Sequence, residues 1–186
     1  VEQAILAATH DLLEDRTASE VTIADIMDAV GLSRTAFYRY FPDVNSVLVR
    51  LLRHVQSEFV GTWLEAPDDA DFTEVLRADA TANVERFARN GAILRACLDA
   101  RTTAPELYAA WLQVVEDVVH RAATRIEGLN RRGVTQVQSP IETARALVTF
   151  TIYYVSEGLP RVAPGDRAAL RDTLAAVWFR TIFGVG

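Results

Sequence analysis

The sequence predicts an all-α protein of about nine helices, with a small N-terminal helix-turn-helix head on a larger C-terminal helical body. Apolar residues recur at three- and four-residue steps along almost the whole chain, with no sustained two-residue alternation and no repeat. Residues 22–41 read as two short helices around a single glycine. Half of the 186 residues are apolar while only 9 are Gly and 6 are Pro, so the chain can bury a core and is neither disordered nor fibrous.

The first helix covers residues 1–15, with Ile5, Leu6, Ala8, Leu12 and Leu13 on its apolar side. Because Val1 already lies inside that pattern, a segment upstream of it is expected. The second helix opens at Thr22, which has capping-box spacing to Asp25, and turns Ile23, Ile26, Met27 and Val30 inward. Gly31 follows, the residue type that ends a helix in a left-handed conformation at least cost. Ser33 is placed to cap a third helix reaching Tyr40, which Pro42 stops. Asp43 caps a fourth that runs on through Val47, Leu48, Leu51, Leu52, Val55, Phe59 and Trp63. Ala66-Pro67-Asp68-Asp69 is the best break in the chain, a solvated acidic loop. Five more helices are expected at residues 72–90, 92–100, 105–130, 141–157 and 166–183, with Asn90-Gly91 as the first of their junctions.

The 22–41 segment carries the chemistry. Its first helix braces the second through Ile26, Val30, Leu32 and Phe37. The second then has to show a polar front to a DNA major groove, where base edges carry their distinguishing donors and acceptors. Arg34 and Thr35 occupy that front, and Tyr38, Arg39 and Tyr40 follow on an arc suited to phosphates. The net charge of −6 counts against nucleic-acid binding by bulk attraction, so the contact must rest on local charge. Residues 33–54 supply it, with Arg34, Arg39, Arg50 and Arg53 against Asp43 alone. All 19 basic residues are Arg, the type suited to bidentate and stacked contacts.

Residues 1–64, from ILAATHDLLED through TIADIMDAVGLSRTAFYRYFPDVNSVL, resemble the head of the TetR family of transcriptional regulators. The similarity covers the first helix, the turn, and the aromatic end made by Phe37, Tyr38, Tyr40 and Phe41. A weaker similarity of the body, on Arg95-Ala96, Ala110-Trp111 and Val177-Trp178 to Gly184, is to a mycobacterial repressor branch of that family. The resemblance implies a DNA-binding domain at residues 1–46 and a ligand-binding and dimerisation domain at residues 47–186. It implies a repressor released from a palindromic operator on double-stranded DNA by a small, mainly hydrophobic effector. Family members carry Lys and an acid shortly after the Phe-Pro pair; Val44 and Asn45 stand there in this chain, and Asn45 or Ser46 takes over the phosphate contact. With the two helix-start residues, the candidate DNA-binding set is Thr22, Ser33, Arg34, Thr35, Tyr38, Arg39, Tyr40 and Asn45.

In the body, aromatic and aliphatic stripes carry the isolated polar residues Asn83 and Thr151, and buried polar groups need partners from protein, water or ligand. An apolar chamber with few polar groups is the usual form of a small-molecule site. The candidate lining is Trp63, Leu76, Asn83, Phe87, Trp111, Val115, Val118, Val148, Thr151, Tyr154 and Trp178. Plain core is the competing reading of each, and a Thr151 hydroxyl bonded four residues back would remove the case for that residue. The resemblance implies a homodimer through the last two helices, and hence operator half-sites one or more helical turns apart. The fourth helix, from Val47–Leu52 to Phe59 and Trp63, would be the bistable part that links effector to DNA.

An enzyme is not expected. His10, His54 and His120 are dispersed, and no glycine-rich phosphate loop or nucleophile elbow is present. Glu116 and His120 lie one turn apart without a third ligand, so an exposed ion pair is expected and no metal or cofactor. The single Cys97 reads as a buried structural thiol in a reducing, cytoplasmic compartment, and no ten-residue apolar run is long enough to span a bilayer. The alternative class is an all-α small-molecule or lipid-binding protein, or interaction module, that binds no operator.

Overall fold

A computed structural model describes residues 1–56 and 61–184. Among them are eight α-helices and no strand: α1 (Glu2–Asp15), α2 (Ile23–Val30), α3 (Arg34–Phe37), α4 (Val44–Gln56), α5 (Phe72–Thr103), α6 (Pro105–Arg131), α7 (Pro140–Gly158) and α8 (Ala168–Phe183). Short 3-10 turns occupy Thr62–Leu64, Leu159–Arg161 and Pro164–Asp166. The chain groups into two compact units, Val1–Glu58 with Asn90–Gln113, and Phe59–Arg89 with Val114–Gly186. This is a different partition from a functional division at residue 46, because α5 and α6 each contribute to both units.

Eight helices stand where about nine are expected, because Gly91 does not end a helix. It keeps a negative φ, and Ala92, Ile93, Leu94, Ala96 and Cys97 carry the buried face straight on. A Cβ at Gly91 would lie 3.1 Å from the Arg95 guanidinium, so the bare backbone is covered by a side chain of the next turn. The missing side chain costs about 1 kcal/mol of helix propensity, which burial of that apolar face outweighs.

The first unit begins with α1, which packs on α2 and α4. Ile5, Leu6, Leu13, Ile26, Met27, Phe37, Phe41, Val47, Leu48 and Leu52 form the core there. Each fully buried side chain of this size contributes about 1.5–3 kcal/mol. The start of α2 is the expected capping box: the Asp25 N–H donates to Thr22 Oγ1 at 3.2 Å and the Thr22 N–H to Asp25 Oδ2 at 3.0 Å. Gly31 ends α2 at φ 71° and ψ 31°, with its own N–H and that of Leu32 returned to the last turn. Asp43 caps α4 through the Ser46 N–H at 2.7 Å and the Ser46 hydroxyl at 2.8 Å.

Three local expectations are corrected. The third helix stops at Phe37, not Tyr40: the Tyr40 N–H bonds Phe37 O and the Arg39 N–H bonds Ala36 O, so the chain tightens into turns before Pro42. Leu32 is 40% exposed and braces nothing; Ile26, Met27, Phe37 and Phe41 hold the two helices together. Trp63 sits in the 3-10 turn Thr62–Leu64, outside the last turns of α4, which the structure describes as far as Gln56. Phe59, the other distal position expected on that helix, lies outside the described residues.

In the second unit, α7 packs on α8. Ala144, Leu147, Val148, Ile152 and Val155 of α7, with Leu170, Leu174 and Ile182 of α8, are buried. The acidic loop expected to be merely solvated is structural. Asp68 pairs with Arg125 at 3.0 Å and with Arg132, both on α6, and Asp71 caps α5 through the Thr73 N–H at 2.9 Å.

Candidate nucleic-acid interface and effector region

The reading edge of the first unit is built from a very short helix. With only Arg34–Phe37 in α3, Phe37 points into the core while Ser33, Arg34, Thr35, Tyr38, Arg39 and Tyr40 are all exposed. Tyr38, at 62% exposure, is propped edge-on against Phe37 with ring centroids 5.7 Å apart. Ser33 stands at the N-cap position but makes no side-chain cap bond, so its hydroxyl is left for another partner. The side chains of Arg34, Thr35, Arg39 and Tyr40 likewise make no hydrogen bond or ion pair to a described residue.

The other charges of this unit are committed. Arg16 bonds Asp25 at 3.1 Å, and Arg50 bonds Glu2 at 3.1 Å, so Arg50 is removed from the cationic set expected after the turn. Asp25 is held below the usual carboxylate range, first by the Thr22 hydroxyl, then by the Thr22 N–H and Arg16. The hydroxyl of Thr22 is thereby spent on the cap. At the start of α4, Ser46 is consumed by Asp43, whereas the half-buried Asn45 makes no side-chain bond to a described residue. Of the two substitutes for the family's Lys, only Asn45 therefore has its amide available.

The second unit holds ten of the eleven expected effector residues. Trp63, Leu76, Phe87, Val148 and Thr151 are buried; Asn83, Val115, Val118, Tyr154 and Trp178 are partly so. Trp111, also buried, falls on the stretch of α6 that groups with the first unit. The Trp63 and Trp178 rings meet edge to face at 5.5 Å. The Trp178 indole N–H donates to Thr151 Oγ1 at 2.9 Å, and that hydroxyl donates to Leu147 O at 2.8 Å, four residues back. Thr151 thus meets the condition that removes it as a polar ligand contact. Asn83 is equally occupied: its amide N–H groups go to Asp79 O and Oδ2, at 3.0 and 3.1 Å, and its carbonyl accepts from Arg86 at 2.8 Å.

Asp79 is the residue that the sequence reading missed. It is only 8% exposed, and its Oδ1 accepts from the Thr62 N–H at 2.8 Å and the Thr62 hydroxyl at 3.3 Å. Burial raises its carboxyl above the ordinary value, against the opposing pull of the Thr62 and Trp63 N–H groups and Arg86. A signal existed: Asp79 lies three residues after Leu76 and four before Asn83, on the apolar stripe itself.

A cleft of about 650 Å³ also opens in this unit, but Arg121, Arg125, Arg131 and Arg132 line it, so it is not the apolar chamber. Cys97 is buried, and burial pushes its thiol up to about 12, as befits a structural residue. Glu116 bonds Arg145 of α7 as well as lying 3.8 Å from His120, an ion-pair arrangement. No cluster of metal-ligating residues occurs among the described residues.

The family model for bacterial regulatory proteins of the tetR type matches residues 5–50, and that for the C-terminal domain of the transcriptional regulator EthR matches residues 76–184. The HTH-type transcriptional regulator EthR of Mycobacterium tuberculosis is 31% identical over 98% of this chain and 87% of its own length. The chain belongs to the TetR family of transcriptional regulators. The EthR of Mycolicibacterium smegmatis is 27% identical over 98% of this chain and 86% of its own. Among solved TetR-like folds, the fatty acid degradation regulator FadR from Bacillus halodurans superposes with a TM-score of 0.78. It is 15% identical, over 95% of this chain and 93% of that one. The Salmonella enterica GusR also reaches 0.78, at 14% identity over 97% and 94%. Membership makes the chain a DNA-binding, helix-turn-helix transcriptional regulator, a class of ligand-binding homodimers. Among the described residues no helix is long and apolar enough to cross a membrane.

Proposed function

We propose that this TetR regulator is a cytoplasmic repressor that sits on a palindromic operator and leaves it when a small, mainly hydrophobic effector binds. Residues 1–46 act as the DNA-reading domain and residues 47–186 as the effector and dimerisation domain. The observation that carries the reading is the set of exposed, uncommitted side chains at the turn. Ser33, Arg34, Thr35, Arg39 and Tyr40 keep their donors free while neighbouring acids are tied into caps and ion pairs. Arg34 and Thr35 read base edges; Tyr38, Arg39, Tyr40 and Asn45 meet phosphates, with Thr22 and Ser33 at the helix starts beside them.

The effector region of the second unit is proposed around Trp63, Leu76, Phe87, Val115, Val118, Val148, Tyr154 and Trp178. Because the polar atoms of Asn83 and Thr151 are already bonded inside the fold, the effector is held by apolar burial and shape. Dimerisation is assigned to α7 and α8. Tyr153 is 56% exposed on α7, Phe150 stacks on Tyr154 at 4.9 Å, and Phe179 stacks on Phe183 at 5.3 Å, leaving aromatic faces for a second copy.

The test is a titration of the purified full-length protein against the DNA upstream of its own gene at low ionic strength. A retarded complex that weakens steeply with salt is expected. No retardation at any concentration would overturn the proposal. Genome-wide selection of bound fragments then gives the operator, and displacement by apolar compounds from a library gives the effector class.

A further inference from the structure

We propose that Asp79 is a positioning residue that couples the effector region to the DNA-reading domain, by holding the turn that follows α4 against the Trp63–Trp178 pair. The inference rests on the function proposed above.

The 3-10 turn Thr62–Leu64 begins with backbone N–H groups that have no partner within the turn. Asp79, seventeen residues along the chain on α5, accepts both the Thr62 and the Trp63 N–H groups. One carboxylate therefore caps the turn from outside it. The approach is as close as a chain permits: a Cβ at Gly61 would lie 3.0 and 3.2 Å from the two Asp79 oxygens and 2.9 Å from Trp63 Cδ1. Gly61 leaves the space into which the carboxylate fits.

What Asp79 holds is not an isolated loop. Trp63 is 3% exposed and meets Trp178 of α8, whose indole N–H is bonded to Thr151 of α7. In a close-packed interior a shift of Trp63 has to move Trp178, and a shift of Trp178 has to break or carry its bond to Thr151. A ligand that displaces either indole therefore works on the turn through Asp79, and the turn lies six residues past the end of α4. The other end of the same loop is pinned to α6 by Asp68, through pairs with Arg125 and Arg132. Rearrangement is thus directed to the Asp79 end. A buried carboxylate suits this role because its worth depends wholly on donors it can lose, whereas an apolar contact would slide.

The test uses full-length protein labelled with 15N and reads the indole N–H signals of its three Trp residues, with and without the upstream promoter fragment. Binding of DNA should shift the Trp63 and Trp178 signals, since coupling acts equally in both directions. In Asp79→Asn, and independently in Gly61→Ala, the DNA-induced shifts of these two signals should be lost while DNA is still retarded. A purely structural role would lower the melting temperature and leave the shifts in place, and that result overturns the proposal. So does a wild-type protein whose two indole signals ignore bound DNA. Absence of DNA binding by wild type fails the proposed function first and takes this inference with it. If neither variant folds, the wild-type measurement decides alone.

Discussion

Arg34 and Arg39 stand close together at the turn, yet their removal should have different consequences. Neither side chain is bonded to a described residue and both are exposed, so Arg34→Ala and Arg39→Ala break no intramolecular interaction. Substitutions at such sites usually change stability by no more than about 0.5 kcal/mol, and a loss of DNA binding can then be read as lost contact. Arg39, as a phosphate contact, should weaken binding to all sequences alike and lower the slope of log affinity against log salt by about 1 per contact. Arg34, as a bidentate reader of a base edge, should cost about 1–3 kcal/mol per half-site and remove the preference at that base. With one copy of the residue in each half-site, the dimer should lose about 2–6 kcal/mol on a symmetric operator. Fluorescence anisotropy with a labelled promoter fragment, over about 50–200 mM salt, measures both quantities. The reasoning fails if Arg34→Ala keeps the wild-type ranking among operators with single base changes. It fails also if either variant melts well below wild type, because then the side chain was holding the fold.

Gly31→Ala should destabilise by about 0.5–1 kcal/mol, the left-handed cost of about 1–2 less the gain from a stiffer unfolded chain. A Cβ there would meet nothing within 4 Å, so the effect is conformational alone, and Gly31→Asn should lose less; equal urea midpoints for all three would refute it. Asp79 gives a pH signature. Its carboxyl is raised above its ordinary value near 3.8, so the fold binds the proton more tightly than the unfolded chain does. Stability should therefore fall as pH rises from that ordinary value through the folded one, with Arg86 and the Thr62 and Trp63 N–H groups moderating the loss. Asp79→Asn should flatten that part of the curve, and an unchanged slope would show that another group is responsible. Cys97, with its thiol pushed up to about 12, should resist alkylation at pH 8 in the native protein and react only on unfolding. Rapid native labelling would contradict its burial.

The features legible in the sequence were those decided by a few neighbouring residues. The Thr22–Asp25 box, the left-handed Gly31 and the Asp43 cap each follow from one side chain satisfying backbone groups within three or four positions. The exposed arc of the recognition segment was legible for the same reason, since Phe37 and Phe41 fix which side faces inward. Features decided by distant partners were not legible. Gly91 reads locally as a helix end, and only the burial of Ala92–Cys97 shows that the helix continues. Trp63 fits the step of α4, but Asp79 draws the chain into a separate turn. Asp68 reads as a loop acid until Arg125 and Arg132, more than fifty residues away, are placed beside it. Asn83 and Thr151 looked like open polar positions because their partners, Arg86 and Trp178, cannot be paired with them from spacing alone.

The same distinction between committed and open groups resolves how a chain of net charge −6 can hold DNA. Net charge acts on approach, over distances that salt screens beyond about 8–10 Å. Contact is decided inside that distance, by which charges remain available. In the first unit Asp25 and Glu2 have satisfied themselves on Arg16 and Arg50, and Asp43 on the start of α4. Glu20 is spent on Thr17, through its N–H and its hydroxyl. Arg34, Arg39 and Arg53 have no such partner among the described residues. A phosphate arriving at the turn therefore displaces no internal ion pair from these three, and the full gain of the new contact goes to binding. The acidic remainder slows non-specific encounter and keeps the regulator from coating DNA indiscriminately, which favours discrimination between operator and bulk sequence over raw affinity.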